Sequence, residues 1–516
     1  MATWTIQDSF KVTPDVADNV LKNAGPNTQQ PPHENVEVGL IHHVAVPWYL
    51  FWLTITFGIL MAFAIEFITD HFVSSHKGPT QEVAGVATAG AAPMVIQGFA
   101  HALTSSVYMV LAIVVALLFP LFIFNPAVYG SYILSFYGIA LVGLGLLTAT
   151  SYVLAMDTFG PISDNAQGVF EMSGAADSNP EAARIIARLD AAGNTTKALT
   201  KGFAIATAVV AAVALFHSYL QGAHLGVTGL RLDIPEVFLG LLIGGAAPYL
   251  FSAFAINAVG RSSFELINEV RRQFREDPGI MLGTSKPNYE RCVAIVTAAA
   301  QKELLSPGIL AIALPAAVGF GFGIGKPSVM VNGHMFNLTG AEALGGFLAG
   351  AILSGQLLAV TLANAGGMWD NAKKLIEDGL HGGKGTEAHK AAIVGDTIGD
   401  PFKDTAGPAL NPLIKVMNLV GLLLSGVVII PMSDWVRGAI TAVCVIALTI
   451  SIRIASKGSM SEALSNAKAS AALSDGPHAT LSVATAEEDA VPSASPTAKP
   501  AKRKLFVEED SAPPEE

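Results

Sequence analysis

Charge and cysteine are both scarce in this chain. Only 14% of its 516 residues are Asp, Glu, Lys or Arg, against 51% hydrophobic. Soluble domains carry about 25% charge, so this composition argues against an ordinary soluble protein and points to lipid as the solvent. The two cysteines, Cys292 and Cys444, lie far apart, and the second falls inside an apolar stretch. Neither a disulfide framework nor a metal site is suggested, and inert thiols are the expectation. Residues 1–44 lack a basic start followed by an apolar run. No cleavable leader is therefore expected, and the first apolar helix is expected to direct the chain to the membrane.

What is abundant is apolar length. Stretches of about 20 residues, enough to cross a hydrocarbon core of about 30 Å, recur through the chain. They predict nine membrane helices, over about 47–70, 95–125, 131–157, 200–222, 234–258, 306–325, 341–366, 409–431 and 435–455. The expected fold class is all-α, a polytopic transmembrane helix bundle forming one domain over 45–455. A polar segment, 1–44, precedes it, and an Ala/Ser/Pro/Glu-rich tail, 456–516, follows it. The tail has too little apolar surface to bury a core and is expected to be disordered. With the N-terminus outside, one set of connections holds Arg184, Arg188, Lys197, Arg261, Arg271, Arg272, Arg275, Lys286, Arg291, Lys302, Lys373, Lys374, Lys384, Lys390 and Lys403. The opposite set holds only Arg231, Lys326 and Arg437. The positive-inside rule then makes the first set cytoplasmic.

Charged side chains cluster at the mouths of these helices. In Gly395-Asp396-Thr397-Ile398-Gly399-Asp400-Pro401-Phe402-Lys403-Asp404-Thr405, helical geometry places positions 396, 400, 403 and 404 within an arc of about 100°. Three carboxylates so close repel one another unless cations intervene. Mg²⁺ suits clustered carboxylate oxygens and is typically held together with substrate phosphates, and a lysine beside it offers a compact charge to phosphate oxygens. A solvated helix start, with acids favoured by the helix dipole, is the plainer account of the same residues.

Asp370 and Lys373, three apart in GGMWDNAKK, repeat the pairing of acid and ammonium, although a surface ion pair would read the same way. Asp157, Asp164 and Glu171 recur every seven residues as a stripe continuing the third apolar helix. Ionisable groups at membrane depth cost about 2.5–3.5 kcal/mol each and mark ion paths or ligand sites; a helix emerging into water is the alternative. Asn194-Thr195-Thr196-Lys197 offers amide, hydroxyl and ammonium groups nearby. Lys415 lies about three turns beyond Asp404 inside an apolar helix, where it needs a partner or a watery cavity, and it is a candidate ion-path residue. Basic charge in Glu269–Arg275 could steer an anion, or it could simply reflect topology.

The strings GDTIGDPFKDTAGPALNPLIK, GGMWDNAKK, DTFGPISDNAQGVFEM, GNTTKALTKGFAI and EVRRQFRE resemble the membrane-bound proton-translocating pyrophosphatases. The resemblance runs from about residue 45 to 431, essentially the second half of that family's sixteen-helix subunit, with 435–455 as an extra helix. It implies a pyrophosphate-energised proton pump that uses Mg²⁺, with Asp404 and Asp400 catalytic, and Lys373, Lys403 and Asn194 binding substrate. It further implies Asp164, Asp370, Asp400 and Asp396 as metal ligands, Lys415 in the ion path, and Lys197 as the determinant of potassium independence. The family's first half contributes a segment reading roughly DVGADLVGK and a second acidic segment, and neither occurs here. An isolated chain is accordingly expected to lack part of the catalytic set, with a homodimer or a complementary N-terminal-half chain as partner. The resemblance places the chain in a lipid bilayer, such as a bacterial inner membrane, with the catalytic loops cytoplasmic and with no role for nucleic acid. A non-catalytic membrane module that binds pyrophosphate or a sister chain, and a transporter of phosphate-like anions, remain alternatives at this point.

Overall fold

The computed structural model describes residues 46–129, 132–173, 178–226, 229–331 and 333–456. The expectations for the polar N-terminal segment and for the tail beyond 456 fall outside these residues. In chain order the helices are α1 (Trp48–Val73), α2 (Gly78–Val86), α3 (Ala91–Ile123), α4 (Ile133–Leu147), α5 (Thr150–Met172), α6 (Pro180–Gly222) and α7 (Pro235–Glu276). They continue with α8 (Tyr289–Glu303), α9 (Leu305–Gly321), α10 (Leu338–Glu377), α11 (Glu387–Asp400), α12 (Gly407–Val428) and α13 (Asp434–Ser456). A two-stranded antiparallel hairpin, β1 (Val329–Val331) with β2 (His334–Phe336), joins α9 to α10.

Among the described residues eight helices are long and apolar enough to cross a membrane, and the bent pair α4–α5 makes a ninth if it is one span. The all-α expectation holds, with two differences in detail. The third expected span is not one helix but two, meeting at 47°. At the break, the Thr148 and Thr150 hydroxyls donate back to the carbonyls of Gly145 and Leu147, each at 2.7 Å, a bond that competes with the helix ladder and bends it.

The second difference is length: α6, α7, α10 and the α11–α12 run each extend well beyond their apolar windows. Hydropathy detects the part in lipid, whereas helix caps determine where each helix starts. Asn179 caps α6 by accepting from the Ala182 N–H at 3.1 Å, with Pro180 in the first turn, and Thr386 caps α11 through the His389 N–H at 3.2 Å. The polar turns gained in this way carry most of the charged residues singled out above.

Helix α10 runs through the core, buried along most of its length against α3, α6, α7, α9, α11 and α12. Its glycines permit this: Gly346 and Gly350 lie directly against the α7 backbone at Val237 and Leu241, where no Cβ could fit. Helix α13 is anchored at both ends. Ser306 and Ser451 exchange hydroxyl-to-carbonyl bonds of 3.3 and 3.2 Å, and Arg261 Nη1 donates to the Ala455 carbonyl at 2.9 Å. At the other end Arg437, which the charge pattern assigned to an outward connection, is fully buried. Its Nη2 donates to the carbonyls of Val428 and Ile430 at 3.0 and 2.7 Å, closing the end of α12.

Candidate functional site

The site is built where α5, α6, α10 and the α11–α12 junction meet. On α6 the residues Asp190, Asn194, Lys197 and Lys201 follow the i, i+4, i+7, i+11 spacing of one helix face. Each reaches a different neighbour. Lys197 is buried, with Nζ 2.9 Å from Asp164 Oδ2 on α5 and 3.4 Å from Asn194 Oδ1. Lys201 Nζ lies 2.9 Å from Asp404 Oδ1. Asp190, also buried, pairs with Lys374 on α10. Two turns back along α5, Asp157 accepts from the Thr200 hydroxyl at 2.8 Å. The acidic stripe of α5 thus faces α6 at Asp157 and Asp164; the Glu171 side chain lies outside the described set. Close approach of α5 to α6 depends on Gly160 and Gly193, whose missing side chains leave room for Lys197 and Ser163.

Between α11 and α12 the chain does not continue as a regular α-helix. Pro401–Ala406 forms a π turn, a widened turn of the kind often found at functional sites. This turn directs Lys403 inward and leaves Asp400 and Asp404 exposed at its flanks. Lys403 Nζ sits among four carboxylates: 2.5 Å from Asp370 Oδ2, 2.8 Å from Asp400 Oδ1, 3.5 Å from Asp396 Oδ1 and 4.0 Å from Asp404 Oδ2. The nearest of these comes from α10, not from the motif's own helix, so tertiary packing rather than the local arc completes the cluster. Lys373 pairs with Asp396 and lies 3.7 Å from Asp370 Oδ1, and Lys374 Nζ lies 3.9 Å from the same oxygen.

Helix α10 is held against this junction by Gly366, where a Cβ would lie 2.5 Å from the Gly399 carbonyl oxygen and 2.6 Å from Lys403 Cβ. Its rotation is fixed by Trp369, whose indole N–H donates to the Met94 carbonyl at 3.2 Å, and by Asn371, whose amide donates to the Val73 carbonyl at 2.7 Å.

A cleft lined by Asn194, Lys197, Ala198, Lys201, Ala363, Gly367, Asp370 and Lys403 opens between α6, α10 and the π turn. Four residues named from the sequence, Asn194, Lys197, Asp370 and Lys403, therefore share one wall system, with Asp164, Lys373, Asp396, Asp400 and Asp404 paired to it. Lys201, Lys374 and Asp190 complete the cluster but were not singled out from the sequence. The α6 spacing was the available signal, because Asp190 and Lys201 extend the Asn194–Lys197 face by one turn on either side. Lys415 is not part of the cluster. It is half-buried on α12, eleven residues beyond Asp404, and its ammonium has no hydrogen bond or ion pair among the described residues.

The donor set suits anionic phosphate and a hard cation together. Asn194 Nδ2 is a buried donor without a partner, and Asp396 Oδ1 and Asp190 Oδ1 are buried oxygens that accept no hydrogen bond. Among the described residues no three acidic, His or Cys side chains already stand in the arrangement of a metal site. Lysine ammonium groups occupy the spaces between the carboxylates instead. At the end of α7, Arg272 is tied up by acids. Buried Glu269 accepts from Arg272 at 2.9 and 2.7 Å and pairs with Arg291 at 3.1 Å, tying α7 to α8.

Comparison with known sequences gives this cluster its context. A sequence model of the family described as inorganic H+ pyrophosphatase matches residues 32–424. A K(+)-insensitive pyrophosphate-energized proton pump of Chloroflexus aurantiacus is 46% identical over 401 residues, covering 74% of this chain and 49% of the relative. Its counterpart in Streptomyces avermitilis is 48% identical over 400 residues, covering 74% and 47%. One in Methanosarcina mazei is 43% identical over 379 residues, covering 73% and 53%. The chain thus spans about half the length of the curated relatives it matches, and α13 lies beyond the matched region.

Proposed function

We propose, on the premise that this chain belongs to the inorganic H+ pyrophosphatase family, that its charged cluster binds pyrophosphate with Mg²⁺ and that hydrolysis there drives a proton across the membrane. The observation that carries this reading is the buried Lys403 ammonium within 4.0 Å of four carboxylates, beside a cleft whose other polar walls are Asn194, Lys197 and Lys201. A polyanion and its counter-cations can exchange into such a lattice of alternating charges without leaving an isolated charge buried.

In this reading Asp164, Asp370, Asp396 and Asp400 supply the metal-facing oxygens. Mg²⁺ held there would neutralise phosphate charge. Lys373, Lys403 and the free Nδ2 of Asn194 hold the phosphates. Asp404 and Asp400 are the catalytic carboxylates, with the exposed Asp404 accepting a proton from the attacking water. Lys197, already seated between Asp164 and Asn194, supplies a fixed cation and removes any need for potassium. Lys415 receives the proton's path through the bilayer. The functional domain is taken as 45–455, between a polar segment at 1–44 and a tail at 456–516. The cluster faces the cytoplasm of a bacterial inner membrane, as the basic connections favour.

Full activity in this reading also draws on the part of the family's length that this chain does not span, supplied by a complementary polypeptide or within a homodimer. The test is pyrophosphate hydrolysis and lumen acidification in vesicles, first with this chain alone and then with the remaining family-length segment co-expressed. Hydrolysis coupled to acidification in the second preparation is expected; its absence there would refute the pump.

A further inference from the structure

We infer that Lys201 is a positioning residue that braces the π turn and thereby holds Asp404 in place. In the π turn the Gly407 N–H donates to the Phe402 carbonyl, so it is not free for the carbonyl of Lys403, which would take that N–H in a regular α-helix. The next residue along, Pro408, has no N–H to offer. A carbonyl left this way at the edge of a buried site needs another donor. Lys201 Nζ provides it, 2.5 Å from the Lys403 carbonyl oxygen, while the same ammonium donates to Asp404 Oδ1 at 2.9 Å.

One side chain from α6 therefore ties together the backbone of the residue at the centre of the carboxylate cluster and the side chain of its neighbour. The Lys201 side chain is only 12% exposed, and its bond to the Lys403 carbonyl is partly buried, while the Asp404 end of the brace stays open to solvent. Lys403 is buried and Asp404 is exposed, and a single brace at that point holds the backbone of the first and the carboxylate of the second. Lys201 lines the cleft, but two of its three N–H donors are already spent on the turn. Both bonds end on the turn, so its effect on a bound phosphate runs through the positions of Lys403 and Asp404. The consequence for catalysis rests on the pyrophosphatase reading; the brace itself does not.

Two measurements separate these. In the purified full chain, amide hydrogen exchange across 401–409 is compared between the parent and Lys201→Met, which keeps the stem and removes the donors. Exchange is expected to rise at least roughly tenfold there, with 387–399 unchanged. Equal rates across 401–409 would overturn the brace whatever the chain does with pyrophosphate. In the active assembly defined above, Lys201→Met is expected to lower kcat roughly 10- to 100-fold, as for loss of a charge-assisted hydrogen bond, with KM for pyrophosphate nearly unchanged. Lys201→Arg, which can still reach both acceptors, is expected to recover part of kcat. A raised KM with unchanged kcat, matching Lys373→Met, would make Lys201 a direct substrate ligand and overturn the positioning role.

Discussion

Lys403 is the residue on which the cluster's electrostatics turn. It is buried, as is Asp370 at 2.5 Å, so removing the ammonium strands a carboxylate in a low-dielectric site. Breaking such a pair from one side costs about 3–5 kcal/mol. Lys403→Met is expected to lower the unfolding midpoint of the detergent-purified chain by that equivalent. Adding Asp370→Asn should recover part of the loss, and the coupling can be read from the double-mutant cycle. Lys197 makes a different prediction. Its ammonium bridges Asp164 and Asn194, so Lys197→Ala leaves a cation-sized gap between a carboxylate and an amide oxygen. Hydrolysis by the assembly should fall roughly 10- to 100-fold, the worth of a charge-assisted hydrogen bond, and should recover as potassium is titrated in. A response identical to the parent's would contradict the role given to Lys197.

At the scale of elements, the junction of α10 with α11 and the π turn is made by glycine. Gly366 faces the Gly399 carbonyl and Lys403 Cβ at distances no Cβ tolerates. Gly366→Ala must therefore push the helices apart, at about 1–3 kcal/mol for overpacking, and shift Lys403 away from Asp370. Pyrophosphate affinity, measured by isothermal titration of the assembly, should weaken by roughly tenfold or more. Gly85→Ala, where nothing lies within 4 Å, should leave it unchanged.

The same junction shows what the sequence could and could not reveal. The carboxylates of GDTIGDPFKD stood out because acids rarely crowd the mouth of an apolar helix, and the spans stood out because lipid demands apolar length. The π turn did not: a regular helix was the simplest reading of 396–404, and only the packing of Gly366 and the missing N–H of Pro408 distinguish it. Lys201 and Asp190 went unread because each looks like an ordinary polar residue until α10 and the π turn are placed beside α6. Lys403's nearest acid comes from another helix, 33 residues away in sequence, a contact that local spacing cannot specify.

At the scale of the whole bundle, the charged residues of the described segments gather at its two ends. The site residues and the Glu269–Arg272–Arg291 network lie toward one end of the bundle, at the polar extensions of α6, α7, α10 and α11. The turn between α9 and α10 and the start of α7, at the other end, carry Arg231, Asp233, Glu236 and Lys326 in two ion pairs. Because basic connections resist translocation, the orientation has a direct test that does not depend on catalysis. In a background with Cys292 and Cys444 replaced by Ser, Lys286→Cys and Lys384→Cys should react with an impermeant maleimide only after the cell membrane is breached. Met330→Cys, 60% exposed in the hairpin beyond α9, should react in intact cells. The reverse pattern would put the carboxylate cluster outside, away from the cytoplasm, and the proposed direction of proton movement would reverse with it.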